Sequence, residues 1–335
     1  MCDRPELARR LADSSLDGAA WEAWPDEQQT VLPLPEVVLS AFGCDLPLQV
    51  RDQLRIQSQQ SPQSQRSPLD PSRQCLWIHL DYLSAEAWVS THHGLYSYKS
   101  DGVMQAFVFP GFGADTGGLP GDPPDDLKHE ESQSNQALLK QTATVKPLRL
   151  FVYVYEHAPL AKWLKAIGET KQVLMPEHLA DGSLGASLRC QEHVQLKILP
   201  ACTQRQWDRE MMHCDLLFVR GEDSWVQAMR SGKPWLWQPY PQALDTLNSK
   251  LSALIEKMSE VLSRLEGWHW WREALYAWGM GQAQPPETFS LLCEGRAIWQ
   301  ALAQTWSEHC NALPRLDRTL CHMIDKRFGR PSVYT

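Results

Sequence analysis

The chain lacks most of the signals that would assign a function class on their own. No apolar run approaches the ~20 residues a membrane-crossing helix needs, and the N-terminus, MCDRPELARR, has no apolar secretion core. Nine cysteines (2, 44, 75, 190, 202, 214, 293, 310 and 321) are scattered, odd in number and free of any CxxC pair. A disulfide framework or zinc site is therefore not expected, and a reducing cytoplasm is the expected location. Basic residues do not dominate: the net charge of −8 argues against a nucleic-acid backbone as the main partner. No Asp-x-Asp pair occurs, which leaves a metal-clamped diphosphate of that type without support. His92-His93 reads as a surface pair in a turn rather than a metal site.

What is present is length for roughly two domains and an unusual stock of tryptophan, fifteen in 335 residues. Trp268, Trp270, Trp271 and Trp278 could form a sugar-stacking surface, but aromatics at helical spacing point first to core packing. Residues 6–13 have helical spacing, and EVVLSAF (36–42) reads as a buried strand before the turn-like GCDLP. The polar run QSQQSPQSQRSP (57–68) reads as a disordered surface loop. CLWIHLDYL (75–83) reads as a strand, SAEAW as a helix start, and Gly111, Gly113, Gly117 and Gly118 as a loop able to face a ligand. Residues 119–145 form the best interdomain linker.

Past the linker, strands at 148–155, 194–200, 216–219 and 234–240 alternate with helices at about 158–167, 206–214 and 222–232. Such alternation predicts an α/β fold with a parallel, doubly wound sheet. The segment from about 249 to 312 reads as mainly helical.

The most informative stretch is LLFVRGEDSWVQAMRSGKPWLWQPYPQ (216–242), an apolar strand that ends in Arg-Gly, two acids and a serine before a helix. The start of such a helix offers unpaired N–H groups and the positive end of its dipole, which suits a phosphate. Gly221 lets the backbone approach a ligand closely, and Arg220 adds a fork of donors for a diphosphate. Asp223 and Ser224 are also good N-cap types, so a capped helix with no ligand stays open at this point. Tyr155-Glu156 and Gln204 stand at other strand ends, where open α/β sheets collect their ligands.

The same stretch resembles the signature of the bacterial protein-arginine rhamnosyltransferases that modify elongation factor P. VVLSAFGCDLP (37–47), WIHLDYLSAEAWV (77–89), FPGFGADTGG (109–118) and the LP…Q.WD…CD pattern (199–215) extend the resemblance to roughly residues 36–320, in order. It implies a GT-B fold, two Rossmann-like domains facing a cleft. Residues 1–145 would be the acceptor-binding domain, 146–312 the nucleotide-sugar-binding domain, and 313–335 a C-terminal tail. The implied reaction moves rhamnose from dTDP-β-L-rhamnose to an arginine of elongation factor P, inverting the anomeric centre without metal or cofactor. By motif position, Tyr155, Gln204, Arg220, Gly221, Asp223 and Ser224 would bind the donor, and Glu222 matches an acid the family requires.

A guanidinium stays protonated and is a poor nucleophile, so the chemistry also demands a carboxylate that orients it and takes its proton. The family supplies one from an N-terminal DN(F/Y)GDIG motif that this sequence does not show, and the N-terminal domain reads as shortened. Asp13 and Asp17 keep the D-x-x-x-D spacing, which makes Asp17 the candidate base or else a solvated loop acid. Ala201 replaces a family phenylalanine, and WQPYPQ replaces WHIYPQ, placing Gln238 and Pro239 in the donor region. Two other readings follow: a member that only holds elongation factor P or dTDP-sugar, and an enzyme with a different sugar donor.

Overall fold

The computed structural model describes residues 34–60, 75–100, 103–121 and 147–331. The helix read at 6–13, Asp13, Asp17, residues 61–68 and the linker 122–145 lie outside them. The chain divides into two compact units: the first draws its described residues from 34–121 and 313–331, and the second from 147–312.

The first unit is built on strands β1 (Val37–Ala41), β2 (Leu76–Leu80), β3 (Tyr96–Tyr98) and β4 (Met104–Val108), with helices α1 (Leu48–Gln60) and α2 (Trp88–His92). Its sheet runs β1-β2-β4-β3; the first three strands are parallel and β3 is antiparallel at one end. The side-chain alternation of β2 explains its two covered faces. Trp77 turns toward Leu46, Val50, Leu54 and Val103, the face covered by α1. Leu76 and Ile78 turn the other way, with Ala106 and Val108, onto Leu316 and its neighbours.

Those neighbours belong to the segment set aside from sequence as a tail. Residues Leu316–Phe328 form a helix whose Leu316, Leu320, Met323, Ile324 and Phe328 pack on the first unit's sheet. The glycine-rich loop fastens it. Leu119 N donates to Pro314 O at 2.9 Å and Leu316 N to Leu119 O at 2.8 Å. Gly118, at φ +74°, approaches so closely that any Cβ would collide with the Pro314 carbonyl. Gly111, Gly117 and Gly118 are buried, so these glycines serve chain packing rather than facing a ligand. Residues 57–60, expected to be loop, continue α1.

The second unit holds β5 (Leu148–Val152), α3 (Leu160–Ala166), β6 (Lys171–Pro176), α4 (Glu177–Ala180), α5 (Ser183–Arg189), β7 (Val194–Leu199), α6 (Gln204–Met212), β8 (Leu216–Arg220), α7 (Asp223–Arg230) and β9 (Trp235–Gln238). All five strands are parallel, in the order β7-β6-β5-β8-β9. This is the Rossmann-like order 3-2-1-4-5, and it reverses direction between β5 and β8. Leu217, Phe218 and Val219 of β8 are all fully buried, as a central parallel strand covered on both faces requires.

Helices α8 (Leu244–Leu262), α9 (Trp268–Gly279), α10 (Glu287–Glu294), α11 (Arg296–Ala312) and, back in the first unit, α12 (Leu316–Phe328) complete the described elements. Most of the tryptophans are core. Trp163 meets Trp278 edge-on at 5.2 Å and Phe289 at 4.8 Å, while Trp235 meets Trp271 at 5.3 Å. The Trp271 indole N–H also donates to Trp235 O at 3.0 Å. Each edge-to-face pair adds about 0.5–1.5 kcal/mol to the burial it accompanies. Trp268, Trp271 and Trp278 are buried as the helical spacing predicts, and Trp270 is half-buried. Two α/β halves, the composition expected of a GT-B chain, are thus present.

Candidate functional site

The order reverses between β5 and β8, and the carboxyl ends at such a switch point are where open α/β sheets bind ligands. Three strand ends meet there. β5 runs out into Tyr153 and Tyr155, two residues apart on extended chain and so on one face. β8 ends in Arg220, whose guanidinium carbon lies 4.5 Å from the Tyr153 ring centre and 4.4 Å from that of Tyr155. One Arg220 amino group also donates to Tyr153 Oη at 3.3 Å. The cation is therefore clasped between two aromatic faces, which fixes its direction while two hydroxyls cannot occupy all five of its donors.

The third strand end is β9. Gln238 is buried, and its Oε1 accepts from Tyr155 N at 2.9 Å, reaching past the end of β8. Trp237 donates its indole N–H to Gly221 O at 3.1 Å and stacks on Trp225 of α7 at 3.9 Å. The Arg220–Gly221 turn is thereby tied to both neighbouring strands. Gly221 has φ +69° and open space where a Cβ would stand, so its left-handed backbone, rather than crowding, selects glycine.

Helix α7 begins directly after this turn. Glu222 is its N-cap residue, in right-handed helical geometry and with no side-chain cap bond. Asp223 and Ser224 therefore sit inside the helix instead of capping it. The first bond of the ladder is Val226 N to Glu222 O at 2.8 Å. The N–H groups of Asp223 and Ser224 precede it, in the first turn of the helix. They follow Arg220 closely in the chain, so the turn combines the N-terminal end of a helix dipole with a guanidinium fork, two features that suit an anion.

Burial raises the Tyr155 phenol above its usual range, with the Arg220 charge pulling it partly back. Tyr155 is accordingly a neutral donor at neutral pH. Asp223 is exposed to water on its outer side, yet loss of solvation from the protein around it raises its carboxyl. Ser224 is buried. Tyr155 also meets Tyr240 edge-on at 5.9 Å, and the exposed ring of Tyr240 extends the aromatic wall.

The structure brings Tyr155, Arg220, Gly221, Glu222, Asp223 and Ser224 into one continuous turn-and-wall arrangement. Gln204 comes from a different strand end, just past β7. It is the first residue of α6, behind the Thr203–Gln206 capping box, and its amide donates to Asp208 Oδ1 at 2.9 Å. Trp207, one turn on, packs edge-on against Tyr153 at 4.9 Å and links the helix to the wall. Asp17, the candidate base, lies outside the described residues. One residue of the site, Tyr153, was not singled out from sequence, and Gln238 was singled out without its bond to Tyr155. The Tyr-x-Tyr spacing could have revealed the first, whereas nothing in the sequence links position 238 to position 155.

Residues 4–325 match the family Elongation-Factor P (EF-P) rhamnosyltransferase EarP. A protein-arginine rhamnosyltransferase of Pseudomonas aeruginosa is 32% identical over 72% of this chain and 65% of its own length. Proteins of the same description from Pseudomonas putida and Shewanella oneidensis are 31% and 30% identical over 85% of this chain, and 74% and 76% of theirs. A solved structure concerned with EarP-mediated arginine glycosylation of translation elongation factor EF-P aligns at a TM-score of 0.49. It is 24% identical, over 64% of this chain and 73% of that one. The chain thus spans about two thirds to three quarters of these relatives' lengths. The match over almost its whole extent makes this chain a member of the EF-P rhamnosyltransferase EarP family.

Proposed function

We propose that this chain is a protein-arginine rhamnosyltransferase that moves rhamnose from dTDP-β-L-rhamnose to an arginine of elongation factor P, inverting the anomeric carbon and using no metal. The observation that carries the donor half of this reading is the Arg220 guanidinium, clasped by Tyr153 and Tyr155 beside the uncapped start of α7. That cradle takes the diphosphate, where charge grows as the sugar leaves, and preorganised donors there lower the barrier directly. A guanidinium nitrogen of the acceptor attacks C1 of the rhamnose, the bond from C1 to the diphosphate oxygen breaks, and dTDP departs with the electron pair. The proton lost from the guanidinium passes to a carboxylate. Glu222, at the turn itself, is the acid proposed to orient the reacting groups, and Asp17 the candidate for the base. Tyr155 and Ser224 contribute neutral donors, and Gln204 and Asp223 are proposed to complete the nucleotide side. The family membership supplies the sugar and acceptor classes.

Incubating the chain with dTDP-β-L-rhamnose and unmodified elongation factor P, then weighing the acceptor intact, tests the reading. A gain of one deoxyhexose is expected. A donor-dependent rise in melting temperature without that gain would reduce the protein to a donor-binding module, and neither signal would overturn the reading. Glu222→Ala is expected to cut turnover by roughly a hundred-fold or more while leaving the unliganded melting temperature in place. Wild-type turnover in that variant would remove Glu222 from the reaction.

A further inference from the structure

Arg220 is held from two sides, and the two sides are built differently. Tyr153 is rooted in the core. Its backbone N–H donates to Phe218 O at 2.8 Å, which carries the β5–β8 pairing to within two residues of Arg220. Phe151 and Tyr153 alternate along extended chain and so project from one face. Trp207 of α6 packs edge-on against both, at 5.0 Å and 4.9 Å, and Phe151 is fully buried. His178, the second residue of α4, meets the Tyr153 ring at 6.4 Å and 89°. Tyr153 is thus braced by β8, α6 and α4 together.

Tyr155 is set among loop residues instead. Its ring stacks on His157 at 5.9 Å and meets Tyr240 edge-on at 5.9 Å, and Tyr240 is 67% exposed. Its fixed point is the backbone N–H held by Gln238.

The grip on the cation follows the same division. Arg220 stands 4.5 Å from the Tyr153 ring centre and also gives Tyr153 Oη a hydrogen bond of 3.3 Å. A ring contact alone lets a planar guanidinium turn over the ring face, whereas ring and hydroxyl together fix its distance and its rotation. An arginine left free to swing must be ordered as the ligand binds, at a cost in affinity.

We propose that Tyr153 is a positioning residue for diphosphate capture: rooted by Trp207, it holds the Arg220 guanidinium in its binding direction before the donor arrives, a role Tyr155 does not share. The inference rests on the nucleotide-sugar reading of the second unit and adds a residue that acts through Arg220 rather than on the ligand.

The test is a double-mutant cycle read by calorimetry with dTDP. In the chain that keeps Arg220, Tyr153→Leu is expected to weaken dTDP roughly ten-fold. In an Arg220→Ala chain the same change is expected to cost less than about two-fold, because the group it holds is gone. Tyr155→Leu is expected to weaken dTDP in both backgrounds, as loss of a group that itself touches ligand does. Tyr153→Phe keeps the ring against Arg220 and Trp207 and is expected to recover all but about three-fold. In turnover, Tyr153→Leu is expected to raise donor KM with acceptor KM unchanged. Trp207→Phe, which draws the brace away from the ring, is expected to repeat the cycle at smaller amplitude, and it stands in for Tyr153→Leu if that variant folds poorly. An equal loss with and without Arg220 would make Tyr153 a packing residue and overturn the proposal, as would a dTDP Kd within about two-fold of wild type in the chain that keeps Arg220. A Tyr155→Leu effect that also vanishes without Arg220 would overturn the division between the two rings. Failure of the wild type to bind dTDP would instead remove the reading on which the inference rests.

Discussion

The two units put the same architectural feature, the carboxyl edge of a parallel sheet, to opposite physical uses. In the second unit the edge is tied down. Gln238 holds Tyr155 N, Trp237 holds Gly221 O, and Arg220 is gripped by two rings, so every strand end at the switch point is fixed by a side chain from its neighbour. In the first unit the edge presents Phe42, Tyr82 and Trp88 outward, and spends backbone strain to do so. A small charged ligand rewards rigid, pre-aimed donors, because ordering them at the moment of binding costs affinity. A protein surface rewards exposed aromatic area of low conformational entropy. The two edges therefore differ in how their strand ends are held, by cross-strand side-chain hydrogen bonds in the second unit and by the packing of half-exposed rings in the first.

The largest expected effect breaks the first unit alone. Gly118→Ala places a Cβ against the Pro314 carbonyl at a positive-φ position, at the point where α12 is hung on the unit. A loss of roughly 2–4 kcal/mol is expected, read as a lowered first transition in thermal unfolding. The donor-dependent shift should survive, since every residue of the cradle lies in the other unit. Loss of that shift together with the transition would mean the two edges are not independent.

Arg220→Ala attacks the other edge. Removing a charged fork from a diphosphate site is expected to cost about 1.5–3 kcal/mol, roughly a ten- to hundred-fold weaker donor Kd, with acceptor Kd unchanged. Calorimetry with dTDP-β-L-rhamnose checks it. A donor Kd within two-fold of wild type would detach the diphosphate from this turn.

Gln238→Leu sharpens the contrast by loosening one tie. Tyr155 N then loses its acceptor, and the aromatic clasp on Arg220 loses its anchor to β9. A several-fold rise in donor KM with little change in kcat is expected, roughly 1 kcal/mol. Gln238→Glu, which keeps an acceptor oxygen, should recover most of it. If both variants only lower the melting temperature, Gln238 is a packing residue.

How much of this was legible in the sequence differs between the edges for a physical reason. The β8–α7 passage could be read directly, because Leu216–Val219 is apolar without interruption and Gly221 punctuates it. Strand β6 was missed. It opens on Lys171 and Gln172 and ends on Pro176, a pattern that reads as loop, and its lysine is buried only because Nζ reaches Leu164 O at 2.7 Å. Strands β3 and β4 escaped because no regular alternation marks Tyr96–Tyr98 or Met104–Val108. Helix α12 was legible and overlooked: Leu316, Leu320, Met323 and Ile324 keep helical spacing, and Gly329 ends it at φ +62°. The ties of the donor edge join positions 83 and 16 residues apart, 155 with 238 and 221 with 237, and side-chain bonds of that kind leave no periodic trace.

The smallest expected effect tests how the Trp88–Phe109 pair at the first unit's edge is held. Phe109 N donates to His93 Nδ1 at 3.2 Å, so that nitrogen must be unprotonated, and Phe109 in turn supports Trp88. Burial lowers the His93 pKa from 6.5, with Asp115 opposing the shift. The unfolded chain therefore binds a proton before the folded one does. Stability from this group is complete above pH 6.5 and declines as pH falls from 6.5 to below the folded value. His93→Gln keeps an acceptor for Phe109 N and cannot titrate. It is expected to flatten the fall in melting temperature between pH 7 and pH 5 by a degree or two at most, roughly the scale of a few tenths of a kcal/mol. An acid slope identical to wild type would show that His93 is not the titrating hold on Phe109, and that Phe109 is kept in place by packing alone.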